Sequence, residues 1–147
     1  MSEITIREET GHGMFTELYR SAGLDIGEDW INTCHPVWSA AARRGGVLLG
    51  AATVSCRSGR LVLEYLAVVP EARAHGLGRK LTALCLEYAA EAGAEDLWIA
   101  AREPGFYRKL GAAESEDTAL LEDCRRCPDY LRNCRPKELV FHLKENA

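Results

Sequence analysis

Between Val68 and Leu81 the chain reads VVPEARAHGLGRKL. Gly76 and Gly78 stand where an apolar-periodic stretch begins, and Arg73, Arg79 and Lys80 put positive charge around them. Glycines at a helix start let backbone come close to a ligand. The free N–H groups of a first helical turn attract an anion, and the helix dipole adds to that attraction. The chemistry implied is binding of a phosphate or pyrophosphate. A tight turn with two convenient glycines accounts for the same letters. The spacing is not that of a Walker A loop, because no Gly-Lys-Ser/Thr follows a four-residue gap. It is not the full Gly-x-Gly-x-x-Gly pattern either, because Leu81 occupies the third position.

A second chemical signal lies near the C-terminus, in CRRCPDYLRNC. Cys124 and Cys127 have a spacing that can chelate Zn²⁺, and Cys134 is a third candidate ligand. A fourth would come from a distance, from Cys34, Cys56 or a histidine. Reduced thiols explain the stretch as well, and a Cys124–Cys127 redox pair is a further alternative. His12, His35, His75 and His142 are scattered and receive no catalytic role.

The elements that would position these residues follow from periodicity. Residues 3–7 alternate polar and apolar, which suits a short strand. Phe15, Leu18, Tyr19 and Ala22 recur at helical spacing before Gly23, and a shorter helix is expected from Glu28 to Cys34, before Pro36. Three closely spaced strands follow, Val37 to Ala42, Val47 to Cys56 and Arg60 to Val69. Gly-containing connections this short join antiparallel neighbours. The third strand, RLVLEYLAVV, is apolar on both faces and is expected to be covered on both. Pro70 to His75 reads as a polar loop. A helix then runs from Gly76 to about Ala92, a strand from Asp96 to Ala101, a short helix from Pro104 to Leu110, and a last strand from Glu138 to Leu143. Some of Ala112 to Leu121 is expected to be strand, and the cysteine stretch, about 122–137, reads as loop.

The totals bound the answer. With 147 residues, 47% hydrophobic and 27% charged, the chain suits one domain over 1–147 with a sizeable core. A net charge of −4 gives no electrostatic reason to expect nucleic acid or an anionic membrane as partner. No window approaches the roughly 18 apolar residues of a membrane span. The start, MSEITIREETGHG, lacks a signal-peptide pattern, so a cytoplasmic location with reduced thiols is the expectation.

The spacing Arg73-x-x-Gly76-x-Gly78, entered from LAVVPEAR, resembles the pyrophosphate loop of the GNAT superfamily, the Gcn5-related N-acetyltransferases. PGFYRKLGA, from Pro104 to Ala112, is similar to the family's second signature, an aromatic-Tyr pair before Leu-Gly. The gap between them fits one helix and one strand, and three antiparallel strands precede the loop. The resemblance covers about residues 3–111 and the final strand.

It implies an α/β fold, with a central, mostly antiparallel sheet flanked by helices, and transfer of acetyl from acetyl-CoA to a primary amine. Carried over residue by residue, the backbone of Arg73, Ala74, His75, Gly76, Leu77 and Gly78 would cradle the pyrophosphate, with Arg79 beside it. The main chain of Leu66, Ala67 and Val68 would pair with the pantetheine arm as an added strand does. Tyr107 would act as general acid toward the departing thiolate, or would be a core tyrosine beside Phe106. Glu64 is the candidate base, read as lying on the face shared by Val62, Leu66 and Val68. The alternative for Glu64 is a carboxylate paired with a nearby arginine. The segment from Gly23 to Trp38, with Asp25, Glu28 and Asp29, corresponds to the region that closes over the acceptor in this family. The family often has an asparagine after the fifth of these strands. Ala101, Arg102 and Glu103 stand there instead.

The acceptor is expected to be a small-molecule or peptide amine, with no nucleic-acid or membrane partner, and a homodimer is one expectation. Two other readings stay open: an acyl-CoA sensor without turnover, and a metal-binding interaction protein centred on the cysteines.

Overall fold

The computed structural model describes residues 3–143 except 25, 27–29, 58, 102 and 116–136. Strand β1 (Ile4–Glu8) is followed by a 3-10 turn (His12–Phe15) and two short helices, α1 (Thr16–Ser21) and α2 (Trp30–Cys34). Three strands then run in succession, β2 (Pro36–Arg44), β3 (Val47–Arg57) and β4 (Arg60–Val68). A 3-10 helix (Pro70–His75) leads into α3 (Leu77–Glu91). Strand β5 (Asp96–Ala101), helix α4 (Pro104–Lys109), a two-residue β6 (Ala113–Glu114) and β7 (Lys137–His142) complete the order.

The strands form one seven-stranded sheet in the order β1-β2-β3-β4-β5-β7-β6. Every neighbouring pair is antiparallel except β4 and β5. This is the mixed α/β architecture, with helices on both faces of a mostly antiparallel sheet, that the sequence implied. The β2–β3 hairpin turns on Gly45 and Gly46, at φ 57° and 86°. Two successive positive φ values are what a tight hairpin between right-twisted strands needs.

Each face of the sheet has its own core. On one face, Ala40, Ala52, Val54 and Leu63 pack against Leu81, Cys85 and Ala89 of α3. On the other, Ala41, Ala51 and Ala67 lie in cross-strand register beneath Phe15, Tyr19 and Trp30. The small residues bring the helices close. A Cβ at Gly50 would sit 3.2 Å from Leu81 Cδ1 and 3.1 Å from the Ala67 carbonyl oxygen, so β3 and α3 leave no room for a side chain there. Under α1, Tyr19 Oη and Thr53 Oγ1 are 2.7 Å apart, Thr53 Oγ1 and Ser39 Oγ 2.9 Å, and Ser39 Oγ and His12 Nδ1 2.6 Å. That chain of hydrogen bonds satisfies hydroxyls that would otherwise be costly to bury.

Three local readings change. Pro70 to His75, expected as loop, is a 3-10 helix, because Pro70 presets its first turn and buried Ala72 pins it beside Leu77. The expected helix over 14–23 is divided into a 3-10 turn and α1. Within the expected strand at 112–121, Ala113–Glu114 is strand, and residues 116–121 lie outside the described residues.

Candidate active site

The loop before α3 is built by backbone. Gly76 adopts the left-handed conformation at φ 67° and ψ 27°, which ends the 3-10 helix and starts α3 in one residue. A side chain at that φ is strained. Leu77 is buried against Ala42 and Ala72, which anchors the first turn. Arg73, His75, Gly76, Arg79 and Lys80 are exposed around it. The first N–H groups of a helix have no intrahelical partner, and the first backbone bond into Gly76 comes from Lys80 N at 3.2 Å. Gly78 faces the second signature: a Cβ there would meet Phe106 Cζ at 3.2 Å. The two motifs are therefore in contact through a glycine and a ring. The arrangement can hold an anionic group on exposed backbone N–H donors ringed by cations.

Among the described residues, the end of the strand that enters this loop has register partners on one side only. β4 and β5 are parallel neighbours registered at a single pair, Val62 with Trp98. Beyond it, no register pair joins them among the described residues. Leu66, Ala67 and Val68 pair on their other side with Ala52, Ala51 and Gly50 of β3. The β4 edge that faces the parting is thus available to an extended ligand, as the added-strand reading requires.

The parting coincides with a β-bulge. On β3, Val54 pairs with Leu63 and Thr53 with Tyr65, so Glu64 is the extra residue of β4. A bulge reverses the alternation of side chains. Leu66 and Val68 therefore pack with Leu63 on the α3 face, while Tyr65 and Ala67 pack toward α1 and α2. This corrects the reading that Glu64 shares a face with Leu66 and Val68. Glu64 accepts a hydrogen bond from Ser55 Oγ at 2.7 Å and is ion-paired with the Arg57 guanidinium. Its side chain is 6% exposed and that of Arg57 is 28% exposed. The paired carboxylate foreseen as the alternative is therefore present. A cavity of about 20 Å³ lies here, lined by Arg57, Val62, Leu63, Glu64 and Ala100.

Tyr107 is buried on the α3 face, edge-on to Phe106 with ring centroids 5.0 Å apart. Burial pushes its phenol well above the ordinary value, and the Cys85 thiol and Glu103 carboxylate add to the shift. It remains a proton donor throughout the neutral range. Tyr65, half-buried beside Glu64, is pushed up mainly by burial and lies 3.3 Å from Cys34 Sγ.

Cys124, Cys127 and Cys134 lie outside the described residues, as do Asp25, Glu28, Asp29 and Arg102. Among the described residues no three His, Cys, Asp or Glu side chains form a group that could hold a metal ion. Cys85 is buried on the sheet-facing side of α3, and burial pushes its thiol up to about 12. His142 is 2.9 Å from Asp96 Oδ1 on the exposed sheet edge. No described helix is long and apolar enough to cross a membrane. Arg57 and Ser55 were missed from sequence, and their only signal was proximity in chain to a turn.

The profile of the Acetyltransferase (GNAT) family matches residues 5–112. Among curated proteins no sequence matches. N-acetylglutamate synthase from Neisseria gonorrhoeae, complexed with coenzyme A and N-acetyl-glutamate, has a TM-score of 0.72 at 20% identity, over 97% of this chain and 36% of that one. A GNAT family acetyltransferase from Elizabethkingia anophelis with acetyl-CoA bound has a TM-score of 0.73 at 18% identity, over 95% and 98%. Nourseothricin acetyltransferase has a TM-score of 0.56 at 30% identity, over 72% and 65%. The chain thus spans little more than a third of the synthase and just under two thirds of the nourseothricin enzyme. The profile covers both signatures, the strands that precede the first and the helix and strand between them, and the chain belongs to the GNAT acetyltransferase family.

Proposed function

We propose that the chain, acting as a single domain, transfers the acetyl group of acetyl-CoA to the primary amine of a small-molecule or peptide acceptor. The observation that carries this reading is the continuity of the open β4 edge, the Gly76 turn and the cation-ringed start of α3. A thioester donor with a pantetheine arm and a pyrophosphate would use all three. Related folds that hold acetyl-CoA or coenzyme A support it.

In this reading the backbone from Arg73 to Gly78, with Arg79 beside it, holds the pyrophosphate, and Leu66 to Val68 pair with the arm. The amine nitrogen attacks the thioester carbonyl carbon as the carbon–sulfur bond breaks. The leaving thiolate takes the Tyr107 phenolic proton. The ammonium loses one proton to Glu64 before attack, directly or through one water, and the nitrogen loses a second as the amide forms; the second restores Tyr107 through solvent, and Glu64 releases the first to solvent. Holding the two reactants at the parted strands supplies the orientation that direct transfer needs.

A turnover screen with acetyl-CoA against amino acids, polyamines, aminoglycosides and peptide N-termini tests this. Release of coenzyme A with at least one class, and its loss in a Tyr107→Phe, Glu64→Gln double variant, is the expected result. An undiminished rate in that variant would remove the roles given to both residues. Binding of acetyl-CoA with no turnover in any class would point to a sensor.

A further inference from the structure

We propose that the cavity between the C-terminal half of α3 and the β1–β2 edge of the sheet is a docking site for a basic peptide segment, one that carries arginine or lysine side chains. It is an open cavity of about 350 Å³, and it shares no lining residue with the small cavity beside Glu64. Its first residue on α3 is Leu84. Roughly 9 Å of helix rise separates Leu84 from Gly78, where α3 meets the second signature. The site therefore stands apart from the proposed donor site.

The wall is aromatic. The rings of Trp38 and Tyr88 stack with centroids 5.1 Å apart and planes 14° apart, and Leu84 lines the cavity beside them. Trp38 is only 9% exposed. Its indole N–H meets no hydrogen-bond acceptor among the described residues, yet it is not sealed in the core. The buried indole of Trp30, by contrast, donates to Thr16 Oγ1 at 2.8 Å. A largely buried indole N–H ordinarily has a partner.

The rim is acidic. Glu8, Glu87 and Glu91 line it against one guanidinium, that of Arg7, which leaves negative charge in excess. Elsewhere Glu9, Glu64 and Glu114 are each paired with an arginine. Among the described residues Glu8, Glu87 and Glu91 have no such partner. Glu87 and Glu91 are four apart on α3, a like-charge spacing that is unfavourable unless a cation answers it. The acids do not converge as a metal site requires.

A small cation would answer the carboxylates and leave the indole N–H unmet. A neutral ligand would do the reverse. A basic peptide does both. A backbone carbonyl accepts from Trp38 Nε1. A cationic side chain lays its methylenes along Leu84 and Tyr88 and carries its charge to Glu87 and Glu91. A guanidinium also stacks on an aromatic face. Alternate residues of an extended segment are about 7 Å apart, close to the roughly 5–6 Å between side chains four apart on a helix.

The test uses the intact chain and a blocked pentapeptide, N-acetyl-Ala-Arg-Ala-Arg-Ala-amide. It has no primary amine, so it cannot be an acetyl acceptor. Its glutamine counterpart and 1,4-diaminobutane are the comparisons. Binding is followed by calorimetry and by the indole N–H signal of Trp38, assigned from triple-resonance spectra. The arginine peptide should shift that signal and leave the Trp30 signal in place. The glutamine peptide should bind about 10-fold more weakly, and a Glu87→Gln, Glu91→Gln variant should lose a similar factor, the upper range for two exposed ion pairs. Both glutamates are exposed, so the variant should keep the parent's melting midpoint and acetyl-CoA affinity. No shift of the Trp38 signal, equal affinity for the two peptides, or undiminished binding by the variant would overturn the proposal. Diaminobutane binding as tightly as the arginine peptide would overturn it too, in favour of a small-cation site. None of these results bears on acetyl transfer.

Discussion

The loop from Arg73 to Gly78 and the parting of β4 from β5 both face the same proposed donor, yet they are made in different ways. The loop is made of backbone. Its form rests on one residue at φ 67°, and most of its side chains point to solvent. The parting is made of side chains, and its form rests on where Glu64, Arg57 and Ser55 point. Backbone sites declare themselves through glycine, because other residues pay heavily for that conformation. Side-chain sites depend on strand parity, and a single extra residue reverses it.

That contrast yields predictions that separate the two regions. The largest effect is expected at the reacting centre. Tyr107→Phe should lower kcat by about 100-fold, the lower end of what general acids contribute. Its acetyl-CoA dissociation constant should stay near that of the parent protein, and an equal kcat would return Tyr107 to a packing role. Gly76→Val should do the reverse. Strain in the left-handed conformation, about 1–2 kcal/mol, should weaken acetyl-CoA binding by roughly 10-fold. Calorimetric titration of the folded variant checks this, and unchanged affinity would mean that the turn does not shape the donor site.

Smaller effects should appear in stability. Ser55→Ala leaves a buried Glu64 oxygen without its donor and should cost about 1–3 kcal/mol, seen as a lower melting midpoint. An unchanged midpoint would mean that the bulge does not depend on this bond. The smallest effect concerns Glu9, far from both regions. Its hydrogen bond to Arg43 holds it below the ordinary carboxylate value of 4.5, which partial burial opposes. Its contribution is therefore present above pH 4.5 and lost as pH falls through the lower folded-state value. Glu9→Gln should flatten the acid side of a melting-point profile slightly and leave acetyl transfer unaltered.

The same contrast explains what the sequence disclosed. RAHGLG and GFYRKLG were legible because glycine, proline and aromatic positions are constrained locally. The hairpins were legible through Gly45, Gly46 and Gly59, all at positive φ. The face of Glu64 was not. RLVLEYLAVV reads as an unbroken strand, and the bulge arises from its registry with β3, which the pattern of one strand does not carry. The separation of β4 from β5 was hidden for the same reason, since a run of apolar residues does not tell where two parallel strands diverge. Arg57 beside a turn looked like any solvated hairpin residue until Glu64 was placed against it.

The most direct test of the central claim is a single-turnover experiment with acetyl-CoA labelled in its acetyl group, in the presence of an accepted amine. The account predicts that the label appears on the amine nitrogen, one for each free coenzyme A thiol released. Label that remains on coenzyme A, or that is released as acetate with the amine unchanged, would contradict it.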